Sequence, residues 1–332
     1  MTTIRIGRPM STANDLIELI RPDFDALNTL LLSQLNSDIG FIEEVSQYLI
    51  QSGGKRVRPL MTLLAARALG SDADTHIPLA ASIECLHTAT LFHDDVVDHS
   101  NARRGQPSAN AIFGNSASIL VGDFVYSRAF QMMVSVGRMD VLKLLSDTTN
   151  QISEGEVWQL KNQYRSDVSE SEYDQVITRK TAVLFEAAAA VAGLVTNQST
   201  ECIDALKRYG REVGFAFQLM DDYLDYAGSS EELGKNIGDD LADGKCTLPV
   251  IKALTECSAA DRAVLSQAIE QGDHTQFAKV SRIVSDSTGL RYTKERAQQS
   301  VREAIAAITV LPESEYRDGM ITLAELAIAR AN

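Results

Sequence analysis

Two aspartate-rich stretches constrain the fold most, because each places several acidic residues in an apolar helical pattern. The first reads Leu-Phe-His-Asp-Asp-Val-Val-Asp at residues 91–98, and the second reads Leu-Met-Asp-Asp-Tyr-Leu-Asp at residues 219–225. Burying a carboxylate without compensation costs several kcal/mol or more. The fold must therefore bring these carboxylates to a place where cations or water offset their charge.

The spacing of these residues predicts that many of them share one helical face. Residues three, four and seven apart lie on the same side of an α-helix. In the first stretch this face holds His87, Asp94 and Asp98, and in the second it holds Gln218, Asp221, Asp222 and Asp225. One such motif is most often a solvated helix end, but two copies favour a shared site. Mg²⁺ suits carboxylates of this kind when substrate phosphates complete its coordination.

Basic residues accompany both stretches, although the chain carries a formal net charge of −14. They are Lys55, Arg56 and Arg58 after a glycine pair, Arg103 and Arg104, Lys180 beside Thr181, and Lys235 and Lys245. Arginine binds phosphate through a fork of donors, and lysine binds it as a point charge. With the carboxylates and the implied Mg²⁺, these clusters predict a substrate that carries at least one diphosphate.

Helical periodicity prevails along the rest of the chain. We expect helices over about 60–69, from Pro78 to the first aspartate stretch, and over about 116–136, 140–163, 170–195 and 201–226. Polar loops are expected at 52–59, 101–109 and 228–249, and no alternating strand pattern or linker divides the chain. The sequence therefore predicts one all-α domain over residues 1–332, a single large helical bundle around a central cavity, with residues 1–15 as a mobile tail.

Composition argues against several classes of protein. An acidic chain repels nucleic acid and anionic lipid. The four cysteines lie far apart in sequence, which favours reduced thiols in the cytoplasm over a disulfide framework or a zinc site. The N-terminus has no apolar segment of signal-peptide length, and the most apolar run, 182–195, is too short to span a membrane. We expect a cytoplasmic protein without a transmembrane segment.

Six segments, in this order, resemble the trans-isoprenyl diphosphate synthase family. They are GGKRVRP, LFHDDVVDHSNARRG, GNSASILVGDFVYSRAF, KTAVLFEAA, FQLMDDYLDY and GKNIGDDLADGKCTLP. The resemblance runs from about residue 20 to the C-terminus and is strongest to the long-chain branch, octaprenyl diphosphate synthases in particular. It implies the all-α isoprenoid synthase fold, a homodimer, and elongation of farnesyl diphosphate by isopentenyl diphosphate. The product would be a polyprenyl diphosphate for ubiquinone side chains, suited to transfer to the membrane.

The resemblance also implies a role for each matching residue. The diphosphate of isopentenyl diphosphate would be held by Lys55, Arg58, His87 and Arg104. Three Mg²⁺ ions on the allylic diphosphate would be held by Asp94, Asp95, Asp98, Asp221, Asp222 and Asp225. The leaving diphosphate would be supported by Arg103, Lys180, Lys235 and Lys245, while Thr181 and Gln218 would lie near the reacting carbons. Cys246 departs from the family, whose members often carry proline there.

Small residues before the first aspartate stretch bear on product length. Thr90 lies one helical turn before Asp94, and Ala89 occupies a position that is often aromatic in short-chain members of the family. Small side chains at both positions predict an open tunnel that accepts more than a farnesyl chain. The segment with Phe130, Met132 and Met133 could form its floor.

Four alternative classes of protein share some of these sequence features. A di-iron bundle needs Glu-x-x-His on two helices, and Glu84–His87 is the single match in the sequence. A terpene cyclase usually lacks a second complete aspartate motif. A non-catalytic subunit of a heteromeric synthase would have lost site residues that are all present here. A synthase of shorter products, farnesyl or geranylgeranyl diphosphate, stays an alternative.

Overall fold

The computed structural model describes residues 11–51, 54–103, 105–228 and 237–329, and most of these residues are helical. The helices are α1 (Ala13–Leu19), α2 (Arg21–Gln34), α3 (Gly40–Gln51), α4 (Val57–Ala68), α5 (His76–Val97), α6 (Ala109–Phe113), α7 (Asn115–Ser135), α8 (Met139–Asn162), α9 (Glu170–Ile177), α10 (Val183–Val195), α11 (Thr200–Ala227), α12 (Asp239–Ala242), α13 (Leu248–Glu256), α14 (Ala259–Gln271), α15 (Phe277–Asp286), α16 (Gly289–Ala307) and α17 (Glu315–Ile328). The predicted all-α fold is confirmed.

Local capping explains where several helices begin. Thr12 and Asp15 form a reciprocal capping box at the start of α1, and the Ser199 side chain accepts a hydrogen bond at the start of α11. Such caps satisfy backbone donors that have no partner within the helix. The predicted tail over residues 1–15 is therefore drawn too long, because Ala13–Asp15 belong to a capped helix. Residues 1–10 lie outside the described residues.

The long helix α11 links two hydrophobic clusters. Leu206 and Val213, in its first half, are fully buried in the larger cluster. Leu219 and Met220, in its second half, are buried in the smaller cluster. Tyr209 lies between Leu206 and Val213 in the helix, and its hydroxyl donates a 2.7 Å hydrogen bond to a backbone oxygen of α17. The second aspartate stretch thus lies on a helix that is anchored along most of its length.

Three details differ from the sequence prediction. The helix expected over 170–195 is interrupted by a π-helical turn at Thr178–Ala182, here called the π turn, in which the Val183 N–H donates to the Thr178 oxygen. The expected loop at 101–109 contains a two-stranded antiparallel hairpin, β1 (Ala102–Arg103) and β2 (Gln106–Pro107). The expected loop at 228–249 contains α12.

None of the described helices combines the length and apolarity needed to cross a bilayer.

Candidate active site

A cavity of about 810 Å³ is lined by one side of α5, α8 and α11 together with shorter segments. The shorter segments are residues 54–58 before and at the start of α4, the hairpin region at 99–103, the π turn, and residues 239–247. Most sequence-predicted site residues that the structure describes line this cavity. Arg104 and Lys235 lie outside the described residues.

The first aspartate stretch divides between the cavity and the protein interior. Asp94 and Asp98, one helical turn apart on α5, line the cavity. Asp95 does not line the cavity: it is 0% exposed, its Oδ1 accepts a 2.8 Å hydrogen bond from Arg103 Nε, and it forms an ion pair with Arg103 Nη2 at 2.6 Å. Adjacent helical residues differ in direction by about 100°, which explains the split. This placement does not support a metal-ligand role for Asp95.

The second stretch shows the same division. Asp221 and Asp222 line the cavity, and Asp222 accepts hydrogen bonds from the Tyr173 hydroxyl at 2.5 Å and from Gln218 Nε2 at 2.8 Å. Burial raises the pKa of Asp222 to about 7, and the nearby Asp240 contributes to the shift. Asp225 is fully buried and accepts a hydrogen bond from the Gly238 backbone N–H at 3.2 Å. Asp225 therefore binds the backbone at the start of α12.

Two half-buried lysines face the carboxylates. Lys180 Nζ lies 2.7 Å from Glu156 Oε2, and Lys245 Nζ lies 3.0 Å from Asp98 Oδ2 and 2.8 Å from Asp243 Oδ2. Burial alone would lower the pKa of each lysine, but the surrounding carboxylates raise both values above the ordinary one. Both side chains are therefore ammonium ions at neutral pH and can bind an anionic group.

A second basic group lines the same cavity. It consists of Lys55, Arg58 and His87, which come from the start of α4 and from α5. The Arg58 guanidinium lies 4.2 Å from the centroid of the Phe185 ring, and that ring lies 5.7 Å from the cavity-lining Phe217 ring. The cavity thus has two sets of cations on different elements, which is what a site for two diphosphates requires.

Carboxylates that the sequence analysis did not assign also line the cavity. They are Glu84, Glu156, Asp239, Asp240 and Asp243. The last three repeat the D-D-x-x-D spacing within the segment read as a polar loop, so the spacing itself was a usable signal. Glu84 lies 3.6 Å from Arg56. Glu84 and His87 form the single Glu-x-x-His match to a di-iron motif, and this spacing does not predict the contact of Glu84 with Arg56.

The carboxylates that line the cavity have the chemistry of a divalent-cation site. Asp240 is buried, and its Oδ2 has no hydrogen-bond partner among the described residues. Burial raises the pKa of Asp94 more than Lys180 lowers it, and Asp98 raises it further. The anionic forms of these buried carboxylates are therefore not fully compensated by the protein, and as hard oxygen donors they fit Mg²⁺. Within the described ranges no three acidic, histidine or cysteine side chains form a metal site by themselves.

The fold and the site define a class of protein, an all-α protein whose cavity combines clustered aspartates with two sets of cations. Residues 40–286 match the sequence profile of the polyprenyl synthetase family. The chain belongs to this family, so the predicted family is confirmed.

Individual relatives agree with this assignment over nearly the whole chain. The chain is 46% identical to octaprenyl diphosphate synthase of Escherichia coli (strain K12) over 314 residues, 94% of this chain and 97% of the relative. It is 42% identical to all-trans-nonaprenyl-diphosphate synthase of Rhodobacter capsulatus, over 95% and 97%. The fold matches a Caulobacter crescentus CB15 polyprenyl synthase complexed with calcium and isoprenyl diphosphate, with a TM-score of 0.94, 38% identity and coverage of 98% and 100%.

Proposed function

We propose that this protein is a Mg²⁺-dependent trans-prenyltransferase. It would extend farnesyl diphosphate with successive isopentenyl diphosphate units to octaprenyl diphosphate, a precursor of ubiquinone side chains. The observation that carries the proposal is the convergence of aspartates from α5 and α11 with two sets of cations in one cavity. The long-chain relatives described above support the product class.

The residues of this chain divide the reaction between them. Asp94, Asp98 and Asp221 would hold Mg²⁺, with Asp222 oriented by Tyr173 and Gln218. When bound, the metal supplies positive charge for the diphosphate that leaves the allylic carbon. Asp95 and Asp225 are proposed as supporting residues, since neither side chain lines the cavity and each accepts a hydrogen bond, Asp95 from Arg103 and Asp225 from the Gly238 N–H.

The charges that develop during the reaction suggest the roles of the remaining cavity residues. As the allylic C–O bond breaks, negative charge grows on the diphosphate and positive charge on carbon. Lys180 and Lys245 stabilise the negative charge on the diphosphate, as preorganised charges do in a site that excludes water. The Phe217 ring lines the cavity where it can stabilise the carbocation. Lys55, Arg58 and His87 hold the diphosphate of isopentenyl diphosphate. The alkene of this substrate then forms the new C–C bond with the allylic carbon, and the departing diphosphate takes the proton that isopentenyl diphosphate loses.

The proposed chain path begins near Thr90. Thr90 lines the cavity, and its hydroxyl donates a 2.8 Å hydrogen bond to the His87 backbone oxygen. The methyl group of Thr90 is therefore the part that would contact an apolar chain. Ala89 and Met133 are fully buried in the larger hydrophobic cluster. We propose that the growing chain passes into this apolar interior and that Met133 helps to limit its length.

A homodimer in the cytoplasm is the proposed assembly. Helices α7 and α8 carry large apolar side chains that are exposed in the single chain: Ile119, Leu120, Val134, Met139, Val157 and Leu160. Exposed apolar groups of this number mark interaction surfaces. Light scattering would give twice the chain mass for the wild type, and Leu120→Glu with Val157→Glu would give a monomer. A wild-type monomer would contradict the assembly.

Product analysis tests the proposed function. The protein is incubated with farnesyl diphosphate, isopentenyl diphosphate and Mg²⁺, and the product mass is measured after phosphatase treatment. The expected product is the all-trans C40 alcohol. A geranylgeranyl product would assign the protein to the short-chain alternative. A protein that extends dimethylallyl diphosphate only as far as farnesyl diphosphate would be the farnesyl alternative, and no condensation with either allylic substrate would favour the non-catalytic subunit.

A further inference from the structure

The π turn is held between two glycines on neighbouring helices. On one side, a Cβ added at Gly155 of α8 would lie 2.7 Å from the backbone nitrogen of Lys180. On the other side, a Cβ added at Gly214 of α11 would lie 2.7 Å from the Cα of Ala182. Non-bonded carbon atoms attract each other best at about 3.5–4.0 Å. Neither position can therefore accept a side chain unless the π turn moves.

Each glycine is close in sequence to a residue that pairs with the π turn. Glu156 directly follows Gly155, and its carboxylate lies 2.7 Å from Lys180 Nζ. Gln218 lies one helical turn after Gly214, and its Oε1 accepts a 3.0 Å hydrogen bond from the Thr181 hydroxyl. The close approach of each helix therefore also delivers a polar partner to one of the two π-turn residues that line the cavity.

We propose that Gly155 and Gly214 are positioning residues for the reaction. By allowing α8 and α11 to close on the π turn, they fix where Lys180 and Thr181 enter the cavity. The inference rests on the proposed function, in which Lys180 stabilises the allylic diphosphate, and on the family resemblance, which implies that Thr181 lies near the reacting carbons. Because a misplacement of about 1 Å can reduce a rate about a hundredfold, a methyl group at either glycine should act on catalysis and not only on stability.

The experiment uses Gly155→Ala and Gly214→Ala in the full-length protein. Gly289→Ala is the control, because a Cβ there would lie 2.3 Å from the backbone oxygen of Pro249, an even closer contact and one outside the cavity wall. For each variant the kcat, the KM for each substrate and the melting temperature are measured. We expect each test variant to lose about tenfold or more in kcat, with the KM for isopentenyl diphosphate within about twofold of wild type. The control should lower the melting temperature alone.

Two results would overturn the inference. Test variants that match the control in kcat would show that the π turn tolerates displacement, and test variants that both fail to fold while the control folds would assign the glycines to stability. Lys180→Ala, measured in parallel, separates this inference from the proposed function. If Lys180→Ala retains wild-type kinetics, the assignment of Lys180 fails. If Lys180→Ala is impaired but the glycine variants are not, only the positioning role fails.

Discussion

The contact between Arg58 and Phe185 gives a prediction whose size follows from the structure. Phe185 is fully buried on α10, and its ring centroid lies 4.2 Å from the Arg58 guanidinium carbon. A cation–π pair within about 6 Å contributes up to about 2 kcal/mol when it is desolvated. Phe185→Leu removes the ring but keeps a branched apolar side chain, so we expect a loss of about 1–2 kcal/mol. At about 1.4 kcal/mol per factor of ten, the KM for isopentenyl diphosphate should rise about 5- to 30-fold.

Steady-state kinetics with each substrate varied in turn provides the assay. Leu184→Ala is the control, because it also removes three carbon atoms from a buried side chain of α10. Both variants should lower the melting temperature, since each leaves a cavity. Only Phe185→Leu should raise the KM for isopentenyl diphosphate, and the KM for the allylic substrate should stay within about twofold. Equal effects of Phe185→Leu on both substrates would refute the assignment of Arg58 to isopentenyl diphosphate.

Three further predictions concern catalysis, product length and stability. Asp94→Asn and Asp221→Asn should each lower kcat by about a hundredfold or more with little change in melting temperature, whereas the exposed Asp147→Asn should keep wild-type activity; near-normal kcat in either test variant would contradict the metal site. Ala89→Tyr should shift products to about C15–C20 by filling the proposed chain path, as measured by mass spectrometry, while Ala89→Ser should not; unchanged product length in an active Ala89→Tyr protein would show another path. Burial by itself raises the pKa of Asp23, but hydrogen bonds from Arg67 and His76 bring it below its ordinary value. The stabilisation is therefore present above the unfolded-state pKa of about 3.9 and is lost as pH falls through the lower folded value. Asp23→Asn should cost about 2 kcal/mol at pH 7, a difference that urea unfolding should find smaller below pH 4; a constant difference across this range would argue against the ion pair.

Regular helices were predictable because their signals are local. Helices α7, α8 and α11 begin and end within about two residues of the sequence prediction, since apolar periodicity marks them. The hairpin at 102–107 was missed because strands of two residues are too short to show alternation. The π turn was missed because the surrounding residues keep a helical apolar pattern, and the close approach of α8 and α11 to it is a tertiary contact that this pattern does not record.

Within the site, the sequence predicted which residues meet but not which way each one points. Asp94, Asp98, Asp221 and Asp222 were predicted to share a cavity, and all four line it. Asp225 was expected on the same face, but it does not line the cavity and accepts a hydrogen bond from the Gly238 N–H, next to α12. Such a contact depends on tertiary structure, and helical periodicity carries no information about it.

The central claim is that aspartates on α5 and α11 together bind one metal–diphosphate group. Calorimetric titration of the full-length protein with an unreactive allylic diphosphate analogue tests this most directly, with and without Mg²⁺. The account predicts tight binding with Mg²⁺, weak binding after EDTA, and loss of the Mg²⁺-dependent part in Asp94→Asn and in Asp221→Asn alike. Binding that ignores Mg²⁺, or that depends on only one of the two helices, would contradict the claim.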